Sequence, residues 1–434
     1  MGMKYKLGEL VDVLSGYAFK KDDYSSEGAS VIKIKNIVPP YIDITDSDKI
    51  SYKDIDKYSK WKTEYNDILI SMTGSNVSQM GSAVGKVGRV KNEAPLLINQ
   101  RVGKFVVKDM TLLDYDFLYY WISRYEIQYR LALEASGSAN QANISPRQIK
   151  GLEIDLPPLI VQKKIAIILN SLDSKIELNN QIISNLEELA STLFNRWFVD
   201  FEFPDENGNP YKSSGGKMVD SEFGEIPEGW GIKKLGEISR IQNGYAFKSK
   251  DYIEYSVDNS VKVLRTLNIN NDNLTINNKD LVYLPEFFLK HHSNVVLNKF
   301  DTLFVMVGAT IGKVGLVTDI NLPSLQNQNM WRFRPDFPHL SSVILRHYVI
   351  HSRNIAENWK TGSAREFYRK DSFSNIRLAI AENRILDKLN SILQPIYELI
   401  NKKNYENGQL EGLRDSLLPK LLSGEIELPE DEEV

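Results

Sequence analysis

Four groups of residues in this sequence have side chains suited to a reactive site. Val38-Pro39-Pro40-Tyr41 has the outline of the Asn-Pro-Pro-Tyr loop of amino-methyltransferases. That chemistry needs a side chain at the first place that hydrogen-bonds the target amino group, which valine cannot do, and no Gly-rich loop follows a strand to hold a nucleoside cofactor. Gly85-Lys86 and Gly312-Lys313 lack both the spacing and the following Ser or Thr of a phosphate-cradling loop. His347 and His351 share a helical face, but with no adjoining Glu and no Cys in the chain, packing explains them better than metal ligation. The carboxylates, including Asp205-Glu206, form no recognisable nuclease cluster. Neither catalysis nor a metal site is expected.

Recognition chemistry fits better. After Gly137-Ser138-Ala139 come Asn140, Gln141 and Asn143, and after Gly362-Ser363-Ala364 come Arg365, Tyr368 and Arg369. Asn and Gln pair bidentately with adenine and Arg with guanine, so these six are the candidates for reading bases. Lys86 and Lys313 sit in Gly-rich turns and suit sequence-independent phosphate contact. Tyr17, Phe19, Tyr245 and Phe247 have faces for stacking, but aromatics beside a glycine shared by two segments are more simply core.

The two recognition segments are parts of an internal repeat. Residues 5–24, YKLGELVDVLSGYAFKKDDY, return at 233–252 as KKLGEISRIQNGYAFKSKDY, an offset of 228. Asp67–Met72 matches Asp301–Met306, Gly85–Gly88 matches Gly312–Gly315, and Asn99-Gln100 matches Asn327-Gln328. The first copy carries seven extra residues between Gly74 and Gly85, polar and Gly-rich, as befits a loop. Short apolar runs such as VIKIKNI and DILISM predict strands, while 112–133 and 342–359 predict helices.

Each copy runs into a long helix. From 157 to 198 apolar residues alternate at steps of four and three, with Ile165, Leu169, Leu172, Ile176, Asn179 and Leu186 on one seam, the pattern of a coiled coil. Such a helix spans roughly 60 Å at 1.5 Å per residue. At an offset of 224 the seam returns in 382–423 with Leu393, Ile400, Lys403, Leu410 and Leu417, along with Asn407 and Arg414. The two helices are expected to pair antiparallel within one chain, bringing their polar layers near the crossing point; buried polar seam residues fix register. Residues 199–230, rich in Pro, Gly, Asn and Ser, read as a linker, and 424–434 as an acidic tail.

The 434 residues are 42% hydrophobic and 25% charged, ordinary for a folded chain of two or three domains. The formal charge of −4 is unevenly divided: +1 over 1–156, −5 over 157–227, +6 over 228–381 and −6 over 382–434, so a polyanion would bind the repeated domains and not the helices. The absence of cysteine suits a reducing cytoplasm; neither a signal peptide nor a membrane span is expected.

The whole chain closely resembles the specificity subunits of type I restriction-modification systems. The resemblance is carried by Leu193–Phe203 (LFNRWFVDFEF), Gly224–Trp230 (GEIPEGW), Gly137–Pro158 with its Leu-Pro-Pro end, and Leu417–Ile426 (LLPKLLSGEI). It implies an α+β, pseudo-twofold architecture: target-recognition domains at 1–156 and 231–381, joined by spacer helices at 157–198 and 382–423 that form an antiparallel coiled coil. It also implies a non-catalytic subunit that reads a split site in double-stranded DNA and docks two modification (methyltransferase) subunits, with restriction/translocase subunits completing the complex. S-adenosylmethionine, ATP and Mg would belong to those partners. The residues alone leave open a two-headed scaffold whose ligand is not DNA.

Overall fold

The computed structural model describes residues 3–428 apart from 139–140, 223, 256–258, 270–275, 279, 309 and 358–367. The chain divides into two compact units, Met1–Asp173 with Gly412–Val434, and Ser174–Glu411.

In the first unit, strand Met3–Lys6 pairs antiparallel with Glu153–Leu156, closing the domain's entry onto its exit. A six-stranded sheet follows in the order 11–15, 102–107, 68–71, 87–89, 41–42 and 37–38, beside a four-stranded sheet in the order 97–98, 29–32, 48–50 and 24–25. Central strands such as Ile68–Ser71 are buried throughout, which is why they read as continuous apolar runs rather than as alternation. Helix Tyr115–Ile122 begins where the Asp114 carboxylate accepts from the Phe117 amide at 2.9 Å. It packs Phe117, Leu118 and Trp121 into a core shared with Leu7, Ile70 and Phe105.

The second unit repeats this order. Strand Gly231–Lys234 pairs with Arg377–Ile380, and sheets run 239–243, 330–335, 302–305, 314–316 and 282–285, 260–264, 324–326. Single hydrogen bonds repeat as well: the Leu7 amide donates to the Leu152 carbonyl at 2.7 Å, and the Leu235 amide to that of Ile376 at 2.8 Å. Tyr17 bridges Asn99 as Tyr245 bridges Asn327. The repeated Gly-Tyr-Ala-Phe motif has a steric cause here. A Cβ on Gly16 would lie 2.2 Å from the Ile98 carbonyl oxygen, and one on Gly244 would lie 1.8 Å from that of Asn327, so only glycine fits.

The long helices are Leu159–Phe198 and Asn383–Ser423. The second is continuous through Pro395, which lies on its exposed side, where water can take the Ser391 carbonyl that loses its helical partner. Each unit takes the start of one helix and the end of the other, so the two run antiparallel. In the first unit Ile165 and Leu169 share a core with Leu421, with Leu417 packed against it; in the second Ile183 and Ala190 share one with Leu393 and Ile400, against which Leu186 packs. Ile176 is buried, whereas Leu172, Leu186, Leu410 and Leu417 are half-buried. A polar layer lies within the seam of the second unit: Asn179 donates to Asn407 Oδ1 at 2.9 Å, and Asn407 donates to Asn180 Oδ1 at 2.8 Å. Lys403 pairs with Glu406 of its own helix at 2.8 Å.

Composition misreads 199–230 as plain linker. Within the second unit, Phe203 stacks between Tyr211 and Trp230 at centroid distances of 4.5 and 5.4 Å, and Met218–Ser221 pairs with Gly224–Pro227 as a hairpin. The Pro and Gly residues shape the turns of an element that has its own aromatic core.

Candidate nucleic-acid interface

Each domain builds its candidate surface around one central methionine of the repeat. In the first, the Met72 amide donates to the Arg101 carbonyl at 2.8 Å, and the Ile144 amide donates to the Met72 carbonyl at 3.0 Å. In the second, the Met306 amide donates to Asn329 at 3.1 Å and the Tyr368 amide to Met306 at 2.9 Å. Positions 101, 72 and 144 therefore correspond to 329, 306 and 368.

That correspondence corrects one sequence-based expectation. Tyr368 occupies the place of Ile144, and both are buried, at 9% and 4% exposure. Its ring packs against Phe304 and Phe373 at 5.1 and 5.8 Å, so Tyr368 is core and not a base-reading residue. Arg369 is exposed at the start of the short helix Lys370–Ser374. Arg365 and Asn140 lie outside the described residues.

In the first domain, strands Ser136–Ser138 and Gln141–Asn143 form a hairpin against Thr73–Gly74. Ala142 points inward and Gln141 is exposed. The Asn143 Oδ1 accepts from Thr73 Oγ1 at 2.8 Å and from Arg101 Nη1 at 3.3 Å, which occupies both lone pairs. Bidentate pairing of Asn143 with adenine would require one of these bonds to break. The seven-residue insertion folds beside this hairpin as a short helical loop, with Asn76 Oδ1 accepting from the Ser78 amide at 2.9 Å.

Lys86 and Lys313 follow Gly85 and Gly312, whose φ values of +80° and +83° define the same turn. Both lysines are half-buried, and Lys313 Nζ donates to the Ile269 carbonyl at 3.4 Å. Tyr17 and Phe19 cluster with Tyr58 and Trp61, and Phe247 is buried beside His292.

Sequence reasoning missed Arg101 and Asn329. The signal was present, because both directly follow the shared Asn-Gln pair at a point where the copies differ. It also missed the polar contacts that hold each domain on its helices. In the first unit Arg89, 5% exposed, meets Asp116 at 3.0 Å and donates to Asn170 at 3.2 Å, while Asp173 accepts from Tyr120 at 2.7 Å and from Arg414 at 2.9 Å. In the second, Arg346, 1% exposed, donates to Glu187 at 3.2 Å and to the Tyr397 hydroxyl at 3.3 Å, and that hydroxyl lies 3.0 Å from His347 Nε2. Burial, reinforced by Arg346, pushes His347 down to about 3, so it stays neutral. Burial pushes the Glu187 carboxyl up to about 7, with Arg346 offsetting only part of the shift.

No described helix is long and apolar enough to cross a membrane, and no group of His, Cys, Asp and Glu among the described residues could hold a metal ion. The chain is 26% identical over 354 residues to the type I restriction enzyme MjaIX specificity subunit of Methanocaldococcus jannaschii, covering 80% of this chain and 76% of that one. It is 24% identical to the HindI specificity subunit of Haemophilus influenzae, covering 70% and 76%. A crystal structure of the type I restriction-modification S subunit from M. genitalium shares the fold at a TM-score of 0.53 and 17% identity, covering 96% of this chain and 95% of that one. The type I restriction modification DNA specificity domain matches at residues 2–188 and again at 227–407. The chain therefore belongs to the family of type I restriction-modification specificity subunits, and it carries that domain twice.

Proposed function

We propose that this chain recognises a two-part site in double-stranded DNA without catalysing a reaction itself, each domain reading one half. The supporting observation is the repeated frame: the same backbone bonds around Met72 and Met306 present different side chains at equivalent exposed places. Shared residues build such a frame and differing residues can read different bases. The antiparallel helices serve as the spacer, and half-sites on duplex DNA are read at defined separations.

Two modification subunits dock on this chain, with restriction/translocase subunits added in the full complex. S-adenosylmethionine, ATP and Mg are held by those partners, and the assembly works in the cytoplasm. Binding of the chain with its modification subunits to duplex DNA should weaken steeply with salt, because phosphate contacts release counterions. Salt-independent binding to a protein ligand, with none to duplex DNA, would refute this reading. Methyl transfer or DNA cleavage by the isolated chain would refute the non-catalytic role.

A further inference from the structure

Arg101 and Asn329 occupy one position in two copies of the same frame. Three backbone relations define it. Each carbonyl accepts from the central methionine, Met72 or Met306. The residue before each is Gln100 or Gln328, whose amides donate to the carbonyls of Tyr17 and Tyr245, both at 2.9 Å. One residue earlier, Asn99 and Asn327 bridge Tyr17 and Tyr245. Both side chains at the position are exposed. Both residues lie in the turns that lead into strands Val102–Val107 and Met330–Pro335, where these backbone bonds hold the chain and leave the side chains exposed, which limits the ordering needed to position a recognition group.

The two side chains differ in chemistry where these backbone relations agree; of the two, only Asn329 has a left-handed backbone, at φ +70°. Arg101 spends one N–H on Asn143 and sits beside the Thr73 and Gln141 hairpin. Its remaining donors form a fork that matches the O6 and N7 of guanine. Asn329 has one donor-acceptor amide, which matches the N6 and N7 of adenine. The adjoining glutamines are identical in the two copies, so they cannot make the half-sites differ.

We propose that Arg101 and Asn329 are corresponding specificity residues, Arg101 reading a guanine in one half-site and Asn329 an adenine in the other. The assignment rests on the DNA-recognition reading above and adds the residues and the base classes.

The test is long-read mapping of methylated motifs in a methylation-free host expressing the complete complex. Arg101→Ala should make one G·C position of one half-site degenerate, with discrimination there falling roughly 5- to 150-fold, and leave the other half unchanged. Asn329→Gly, which removes the side chain and tolerates the φ of +70°, should do the same at an A·T position of the other half. Unchanged motifs in both variants overturn the assignment, as does degeneracy in both halves from one substitution. If Arg101→Ala abolishes methylation, Arg101→Lys decides: a retained guanine supports base reading, while loss of the whole site shows a structural role and overturns it. A wild-type complex with no two-part motif would overturn the recognition reading and this assignment together, whereas an intact wild-type motif with unaltered variants overturns the assignment alone.

Discussion

Replacing Arg346 with Met should make the stability of the second domain's seat on its helices depend on pH above neutrality. In the native protein Arg346 is 1% exposed and donates to Glu187 at 3.2 Å, with the Tyr397 hydroxyl and neutral His347 completing the polar surroundings. Glu187 titrates at about 7, raised by burial from an ordinary value near 4.5. The folded state thus holds an extra proton between those values, so stability from this group falls as pH rises through that window and is level above about 7. Met at 346 removes the attraction that favours the carboxylate, which raises the folded pKa further and extends the decline. Above pH 7 the variant should lose about 1.4 kcal/mol per pH unit relative to wild type, or about 3 kcal/mol from pH 7 to 9. That accounts for much of the ~3–5 kcal/mol typical of breaking a buried pair. The assay is hydrogen-exchange protection of helix Ser342–Ala356, corrected for intrinsic exchange, in the full chain. The variant should lose roughly 100-fold in protection relative to wild type over those two pH units. At pH 6 the two should nearly agree, and adding Glu187→Gln to the variant should abolish the pH dependence. Parallel curves for wild type and variant across pH 6–9 would refute the reasoning.

Asn179→Leu should destabilise the chain by about 1–3 kcal/mol, since it removes the donor to the buried Asn407 oxygen, whereas changing both Asn179 and Asn407 to Leu should restore or exceed wild-type melting temperature. Tyr368→Phe should leave the methylated motif unaltered, because position 368 is core, while Tyr368→Ala should cost about 3–5 kcal/mol in chemical denaturation; a changed motif in the Phe variant would return Tyr368 to the reading surface. A heptad inserted into both long helices lengthens each by about 10.5 Å, equivalent to roughly three base pairs, so motif mapping should show a wider gap between unchanged half-sites. An unchanged gap would show that the helices do not set it.

The repeat was legible because whole motifs return at offsets between 224 and 234, and the structure turns those motifs into matching hydrogen bonds, as at Leu7 and Leu235. The coiled-coil seam was legible because heptads report the face that one helix turns to another. They do not report a second buried face. Tyr397 and Asn401 are buried though off the seam; Asn401 accepts from the Asp319 amide at 2.8 Å and donates to the Asp319 carboxylate at 2.7 Å, contacts that fasten a domain loop to the helix. Tyr368 was misread because a loop motif was aligned by sequence, while its place is fixed by the bond from its amide to the Met306 carbonyl and by the packing of its ring against Phe304 and Phe373. The aromatic stack of Phe203, Tyr211 and Trp230 was hidden among turn-forming residues that dominate the composition. Arg101 escaped because it follows a shared pair with no loop signal of its own, and only the hairpin brings Asn143 to it across 42 residues of sequence.

The central claim is that this chain supplies two-part sequence recognition. Genome-wide mapping of methylated bases in cells with the complete complex, and in cells lacking this gene alone, tests it most directly. The account predicts a single motif with two short specified halves and a fixed gap, absent when the gene is removed. A motif that persists without the gene, or methylation at one unbroken sequence, would contradict it.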